Sequence, residues 1–246
     1  MFKLQFALKL TLTTLLALGV LDQATAIAQT TAVVPESVSS HRALVQNDWS
    51  FWPSEQNRAP RRTHSGSSRT ASCGGDNFIS LVPQEQIGLS GQARPEVLLY
   101  VPVEVSRQAV FVLQSEARYY HEAPIDLPET AGIISMPLPE EMPDLTAGER
   151  YKWSIVLPCN TEVRPDSPVV SGWLETQTSF DEVISQSSPS LEQAARYRDN
   201  ALWYDMIAML AQLKIGHPDD DAIHQAWLSV LERHHLEDLS HQPILQ

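Results

Sequence analysis

The hydrophobic pattern changes its period once along this chain, and that change limits the folds open to it. Between residues 78 and 178, short runs rich in β-branched and aromatic residues recur at roughly ten-residue spacing, separated by Pro and Gly. Such runs are typical of the short strands of an all-β layer. After residue 178, apolar residues recur three and four positions apart, which is the period of a helix face. The pattern therefore predicts an α+β protein in which the strands precede the helices.

Short strands of this kind predict an immunoglobulin-like antiparallel β-sandwich over residues 73–178. Pro102 and Pro137 lack the N–H that a ladder requires, so each should lie at an edge or a bulge. Tyr151 follows a turn that contains Gly148, as in a tyrosine corner, where the hydroxyl bonds to the backbone of the preceding turn. The predicted strands are 79–82, 96–105, 109–114, 117–121, 132–138, 150–157 and 169–176.

Residues 179–246 are predicted to form a C-terminal helical subdomain. Ser188 is the expected N-cap of its first helix, with Pro189 at the first helical position. The next two helices are expected to pair as a hairpin, similar in outline to one tetratricopeptide unit. A single unit cannot bury its own apolar faces, so we expect it to pack on the sandwich and to bury Trp203 and Trp227. The two apolar stripes comprise Trp203, Met206, Ile207, Leu210 and Leu213, and Ile223, Trp227, Val230 and Leu231.

The first 28 residues have the features of a signal peptide. Lys3 and Lys9 precede and flank an apolar run that ends near Leu21, and an A-x-A motif closes at Ala28. An uncleaved membrane anchor is the alternative, but the run is shorter than the ~20 apolar residues that span a bilayer. We therefore expect an exported protein, periplasmic or extracellular, with no transmembrane span after cleavage. Residues 29–72 are predicted to be a flexible, basic leader rich in Ser, Pro and Arg.

Cys73 and Cys159 are the chain's two cysteines. Exported proteins fold in oxidising compartments, and the pair has no metal-type spacing, which favours a disulfide between them. The alternative is two separate buried thiols.

Charge and motif content argue against several classes of function. The chain has 17 basic and 30 acidic residues and a net charge of -13, which argues against a nucleic-acid partner. It lacks a phosphate loop, a dinucleotide fingerprint and a G-x-S-x-G motif, so no catalytic residue and no cofactor are predicted. Five histidines lie near the C-terminus, but their spacing matches no zinc motif, so no metal site is predicted.

Aromatic residues give the most plausible interaction surface. Trp49 and Trp52 lie in the leader, either as a docking element or as a segment that packs on the folded body. Tyr119, Tyr120 and His121 lie together on a predicted short strand. These five residues are the candidates for a binding surface.

Two functional hypotheses follow. The first is a non-enzymatic binding or adaptor module of the cell envelope, whose partner would be an unknown envelope protein or glycan. The second is a hydrolase of envelope polymers, with an acidic site that the sequence does not reveal. A pocket with two carboxylates would favour the hydrolase, and an aromatic patch would favour binding.

The order of several short motifs resembles the cyanobacterial secreted family called domain of unknown function 928. The resemblance covers residues 61–245 and implies export and the domain order given above. It implies no catalytic or binding residues. The motifs are Arg69 to Cys73, Leu81 to Pro83, Gly88 to Ser90, Leu99 to Pro102, Gly132 to Ser135, Leu138-Pro139, Gly148, Tyr151 to Trp153, Cys159, Gly172-Trp173, Leu202 to Asp205, Pro218 and Trp227.

Overall fold

The structure is a computed structural model that describes Trp49, Arg58, Ala59 and residues 77–83, 86–116, 119–159, 162–177 and 188–245. The predicted signal peptide and most of the predicted leader lie outside the described residues. Within them the chain is mixed α and β, as predicted. The strands are β1 (Ile79–Ser80), β2 (Gly88–Ser90), β3 (Glu96–Val101), β4 (Gln108–Ser115), β5 (Tyr120–Asp126), β6 (Gly132–Pro137), β7 (Arg150–Val156) and β8 (Val169–Thr176). The helices are α1 (Leu191–Asp199), α2 (Trp203–Gly216) and α3 (Asp221–Arg233), followed by a short 3₁₀ helix, Glu237–Leu239.

The strands form two sheets. The smaller one has the order β1-β3-β6 and the larger one the order β2-β8-β7-β4-β5. All pairs are antiparallel except that β2 runs parallel to β8. The prediction of purely antiparallel sheets is therefore wrong at this edge. Sequence reasoning missed β2 because its three residues are too few to show an alternating period.

β5 also differs from its prediction. A strand was expected over residues 117–121, but the strand is Tyr120–Asp126 and contains Pro124. β5 pairs only with β4 and so forms an edge of the larger sheet, where a residue without an N–H need not break a ladder. Pro137 ends β6, which pairs in a ladder only with β3, and Pro102 directly follows β3. The edge placement expected for Pro137 is confirmed.

Capping residues set where the helices begin. The Ser190 hydroxyl accepts a hydrogen bond from the backbone N–H of Gln193 at 3.2 Å, so α1 begins two residues later than expected. Ser188 and Pro189 precede the cap, and their predicted roles are wrong. Asp220 caps α3 by accepting from the N–H groups of Ala222 and Ile223 at 2.8 and 3.2 Å.

One hydrophobic core joins both sheets to the three helices. In the larger sheet, Trp153 stacks on Phe111 with 6.4 Å between ring centroids. Gly172 lies against this indole ring, and a Cβ at that position would approach its atoms to 2.8 Å. The indole Nε1 donates to the hydroxyl of Tyr204 at 2.8 Å, and that hydroxyl donates to the carbonyl of Trp173 at 2.9 Å. Tyr204 therefore fastens α2 to the larger sheet through buried polar contacts.

The two tryptophans of the helical region are fully buried, as predicted. Trp203 and Trp227 are each 0 % exposed. α2 packs against α1, α3, β2 and β3, so the apolar surface that two helices could not hide between themselves is covered by strands and by α1.

The expected contact of Tyr151 is also confirmed. Its side chain is buried, and its hydroxyl accepts from the backbone N–H of Thr146 at 3.1 Å and donates to the Glu149 carboxylate at 2.9 Å. Gly148 in the same turn has φ of 76°, a conformation that glycine adopts without strain. The hydroxyl thus ties the turn before β7 to the strand itself.

We expect Tyr151→Phe to lower the free energy of unfolding by about 1 kcal/mol or somewhat more, because the Thr146 N–H loses its acceptor. Urea unfolding followed by circular dichroism measures this. Tyr120→Phe is the matched control, because Tyr120 also donates to a glutamate but is 56 % exposed. An equal effect of the two substitutions would contradict the structural role of the Tyr151 hydroxyl.

Candidate functional site

One cavity among the described residues is an open cleft between the smaller sheet and the helices. It has a volume of about 760 Å³. The loop after β2, the start of β3, α1, α2 and the C-terminal segment surround it. Its lining comprises Gln92, Arg94, Pro95, Glu96, Ser135, Pro189, Gln193, Tyr197, Tyr204, Asp205, Ala208, Met209, Ala211, Gln212, Ile215, Ile244 and Leu245.

Asp205 is a buried acid that lines this cleft, and its pKa is shifted. It lies in the first turn of α2 and is only 9 % exposed. Burial raises the pKa of its carboxyl to about 6, although hydrogen bonds from the Gly91 N–H and the Ser90 hydroxyl favour the ionised form. The Gly91 N–H donates to Asp205 Oδ2 at 2.9 Å. The carboxyl therefore joins the loop after β2 to the helix and can gain or lose a proton near pH 6.

The end of β2 and the loop after it form hydrogen bonds with this carboxyl. Ser90 is fully buried, and its hydroxyl accepts from the backbone N–H of Gln92 at 3.0 Å. The same hydroxyl is left to donate to Asp205. Ser90 at the end of β2 and Gly91 directly after it thus hold the Asp205 side chain at the start of α2.

Gln193 and Tyr197 form a second polar pair in the cleft. They lie one turn apart on α1, and the Gln193 amide donates to the Tyr197 hydroxyl at 3.1 Å. The pKa of Tyr197 is raised, mainly by burial and further by the negative charge of Asp205, while the Gln193 bond opposes the rise. The charge of Asp205 therefore reaches this pair across the cleft.

The charged residues at the rim have structural partners. Arg94 donates to the carbonyls of Met142, Pro139 and Leu138 at 2.6, 2.8 and 3.1 Å, which holds the loop after β6. Glu96 is exposed and accepts a hydrogen bond from the Ser135 hydroxyl on the neighbouring strand. The positive charge of Arg94 is therefore committed to the fold, and the other polar side chains that line the cleft are amides, hydroxyls and two carboxyls.

The structure describes four of the five residues of the predicted aromatic surface. Trp49 is 2 % exposed, and the guanidinium of Arg198 lies 5.0 Å from its ring centroid, so this residue belongs to the folded body. Its indole is buried, and the use of Trp49 in an interaction surface stays a prediction. Of the two alternatives for this segment, the structure supports packing on the body at Trp49, while Trp52 lies outside the described residues.

Tyr119, Tyr120 and His121 do lie together at the start of β5. The rings of Tyr119 and His121 stack with 6.3 Å between centroids. Tyr120 is exposed, and its hydroxyl donates to Glu122 at 2.8 Å, which raises its pKa. Their use as an interaction surface stays a prediction.

Three further expectations concern cysteines, metals and membranes. Cys159 is buried after β7, whereas Cys73 lies outside the described residues, so the disulfide stays a prediction. Among the described residues, no group of three or more His, Cys, Asp or Glu side chains could hold a metal ion. No helix in the described ranges is both long and apolar enough to cross a bilayer.

Sequence reasoning did not single out the cleft residues. Asp205 follows two aromatic residues at a helix start, where an acid is ordinarily explained by the helix dipole. Its distinguishing partner, Gly91, is 114 residues away in the chain. Gln193 and Tyr197 are spaced as a helical pair, which was the one local signal available.

The described residues form an α+β protein with two small sheets, three helices and a polar cleft between the smaller sheet and the helices. Residues 60–244 match the family described as Domain of Unknown Function (DUF928), so the chain belongs to that family. No curated protein matches the chain.

Proposed function

We propose that this protein is an exported, non-enzymatic binding module that holds a segment of a neutral polar polymer, such as an envelope glycan, in the cleft. The observation that carries the proposal is the chemistry of the lining. Amide and hydroxyl side chains lie beside apolar ones, and the one basic side chain among the lining residues is already bonded to backbone carbonyls.

Such a lining suits a sugar chain. Sugar hydroxyls form hydrogen bonds with amides such as those of Gln92 and Gln212, and their C–H faces pack on apolar side chains such as Pro95 and Met209. Because the cleft is open to solvent, a long polymer could pass through it without a free end. Binding to a preformed cleft also requires little ordering of the protein.

Gln212 provides the test of binding. It is exposed on α2 and lines the cleft, so Gln212→Ala removes ligand contacts without opening the core. We expect affinity for soluble peptidoglycan or exopolysaccharide fragments, measured by calorimetry, to fall about 2- to 10-fold, the range for one neutral hydrogen bond.

Gln225→Ala is the matched control, because Gln225 is an exposed helical glutamine on α3 that does not line the cleft. Equal affinities of the wild type and both variants would place the ligand elsewhere. No binding of either fragment class by the wild type would reject a glycan ligand.

The hydrolase is a second candidate, favoured by one observation. A carboxyl with a pKa of about 6 can act as a general acid near neutral pH, and Glu96 is a second carboxylate at the same cleft. Against this function, Asp205 already accepts bonds from Gly91 and Ser90, which fix it as a link between loop and helix.

Asp205→Asn distinguishes the two functions. For a binding module we expect no turnover of the bound polymer by wild type, and near-wild-type affinity in the variant. Release of reducing ends by wild type that disappears in both Asp205→Asn and Glu96→Gln would establish the hydrolase instead.

We also propose that the two sheets pack as an immunoglobulin-like sandwich and that Cys73 and Cys159 form a disulfide in the exported chain. The Tyr151 contact supports the first of these, and the two-cysteine count of an exported chain supports the second. Peptide mapping of the unreduced protein would detect the linked cysteines.

A further inference from the structure

We infer that a second, smaller pocket on the other side of the C-terminal segment binds a phosphate group. This pocket has a volume of about 520 Å³ and lies where the end of α2, the start of α3 and the residues after the 3₁₀ helix meet. Five of its lining side chains can donate hydrogen bonds to an anion: Lys214, His224, Ser240, His241 and Gln242. The inference is independent of what the cleft binds.

Lys214 and His224 have the arrangement that an anion requires. The Lys214 ammonium lies 3.2 Å from Nδ1 of His224. An ammonium can only donate, so Nδ1 is the acceptor, and the neutral ring carries its proton on Nε2. The two side chains therefore present N–H donors from two helices to one pocket.

The positive charge of Lys214 is not neutralised by a carboxylate. None of the described residues forms an ion pair with it, although the whole chain carries a net charge of -13. Asp220, the N-cap of α3, has an oxygen engaged by two backbone N–H groups. No acidic side chain of the described part of the chain lines the pocket. An uncompensated cation beside histidines, in an otherwise acidic protein, favours an anionic ligand.

The donor types favour phosphate over a carboxylate. Arginine pairs with planar carboxylates through two parallel bonds, and no arginine lines this pocket. A lysine acts as a point charge, and separate donors on several elements can surround a tetrahedral group from different directions. Ser240 adds a hydroxyl to this pocket and is only 4 % exposed.

The chain offers an internal control for a protection experiment. Lys152 on β7 is the only other lysine among the described residues, and it is half-buried like Lys214. We would treat the full chain with a limiting amount of an amine-acetylating reagent, with and without inorganic phosphate, and measure both lysines by mass spectrometry. We expect phosphate to reduce acetylation of Lys214 several-fold and to leave Lys152 unchanged. Acetate at equal ionic strength should protect Lys214 much less.

Variants test the same site at equilibrium. Lys214→Gln should weaken phosphate binding about tenfold or more, since it removes a charge-assisted hydrogen bond, whereas Lys152→Gln should bind like wild type. His241→Asn should weaken binding less than Lys214→Gln. Equal protection of both lysines, equal protection by acetate, or unchanged phosphate binding by Lys214→Gln would overturn the inference. The protection result on the wild-type chain stands even if a variant does not fold.

Discussion

Replacing Trp203 with alanine is expected to lower the free energy of unfolding by about 3 to 5 kcal/mol, the range for removing a fully buried tryptophan. Trp203 is 0 % exposed, and its indole Nε1 donates to the carbonyl of Leu81 at 3.0 Å. Its ring also meets the edge of His234 at a centroid distance of 4.4 Å. The substitution would open a cavity where α2, α3 and the segment after β1 meet, and would leave the Leu81 carbonyl without this donor.

Urea unfolding measures the effect, and Tyr120→Ala is its control. Tyr120 is a large aromatic residue that is 56 % exposed, so its removal should change stability by less than about 0.5 kcal/mol. Trp203→Phe should fall between the two, because it keeps most of the apolar volume but loses the hydrogen bond. A loss below about 1 kcal/mol for Trp203→Ala would show that the helices do not share one core with the strands.

The second large effect is on how the free energy of unfolding depends on pH. Asp205 has a pKa raised to about 6 from 3.8, so between these values the folded state binds more protons than the unfolded state, and stability falls as pH rises. His234 behaves oppositely. Burial, with smaller contributions from the charges of Arg233 and His235, lowers its pKa to about 4 from 6.5. Between pH 4 and 6.5 the unfolded state therefore binds more protons, and stability rises with pH.

The two groups oppose each other over the same pH range. Each shift corresponds to about 3 kcal/mol at about 1.4 kcal/mol per pKa unit, so their contributions nearly cancel between pH 4 and 6. We expect Asp205→Asn to remove the contribution of Asp205 to this pH dependence and to leave that of His234. Relative to the wild type, the variant should lose about 3 kcal/mol of stability on going from pH 6.5 to pH 4.

His234→Gln should have the opposite effect. Relative to the wild type, its free energy of unfolding should rise by about 3 kcal/mol on going from pH 6.5 to pH 4. The measurement is a set of urea unfolding curves at several pH values for the three proteins. Differences between each variant and the wild type cancel the other titrating groups. Parallel pH profiles for all three proteins would show that neither group titrates with a shifted pKa.

Where residues close in sequence decide the structure, prediction succeeded. The apolar stripes of α2 and α3 indicated which faces are buried, and Trp203 and Trp227 are buried there. The turn before β7 could be predicted from the sequence because Gly148 and Tyr151 lie only three residues apart. The cap of α1 is the exception: Ser188 was predicted, but the Ser190 hydroxyl accepts from the Gln193 N–H and is the cap.

Where distant residues meet, prediction failed. β2 exists because Gly88 to Ser90 lie beside β8, and a Cβ on Gly88 would come within 2.5 Å of the Tyr204 ring. For Trp49 the sequence left two alternatives open, and its burial beside Arg198 in the folded chain favours packing on the body. No local sequence pattern predicts β2 or the burial of Trp49, because each depends on contacts with residues far away in the chain.

The sequence by itself determined the α+β class, the order of strands before helices and the faces that are buried, because hydrophobic periodicity acts over a few residues. Tertiary structure alone decided the cleft, the buried carboxyl of Asp205 and the pocket of Lys214. The cleft joins segments far apart in the chain, such as Gly91 with Asp205, and the Lys214 pocket needs two helices and the C-terminal segment to pack together. Proton affinity and ligand contacts depend on the desolvation and the neighbours that such packing creates.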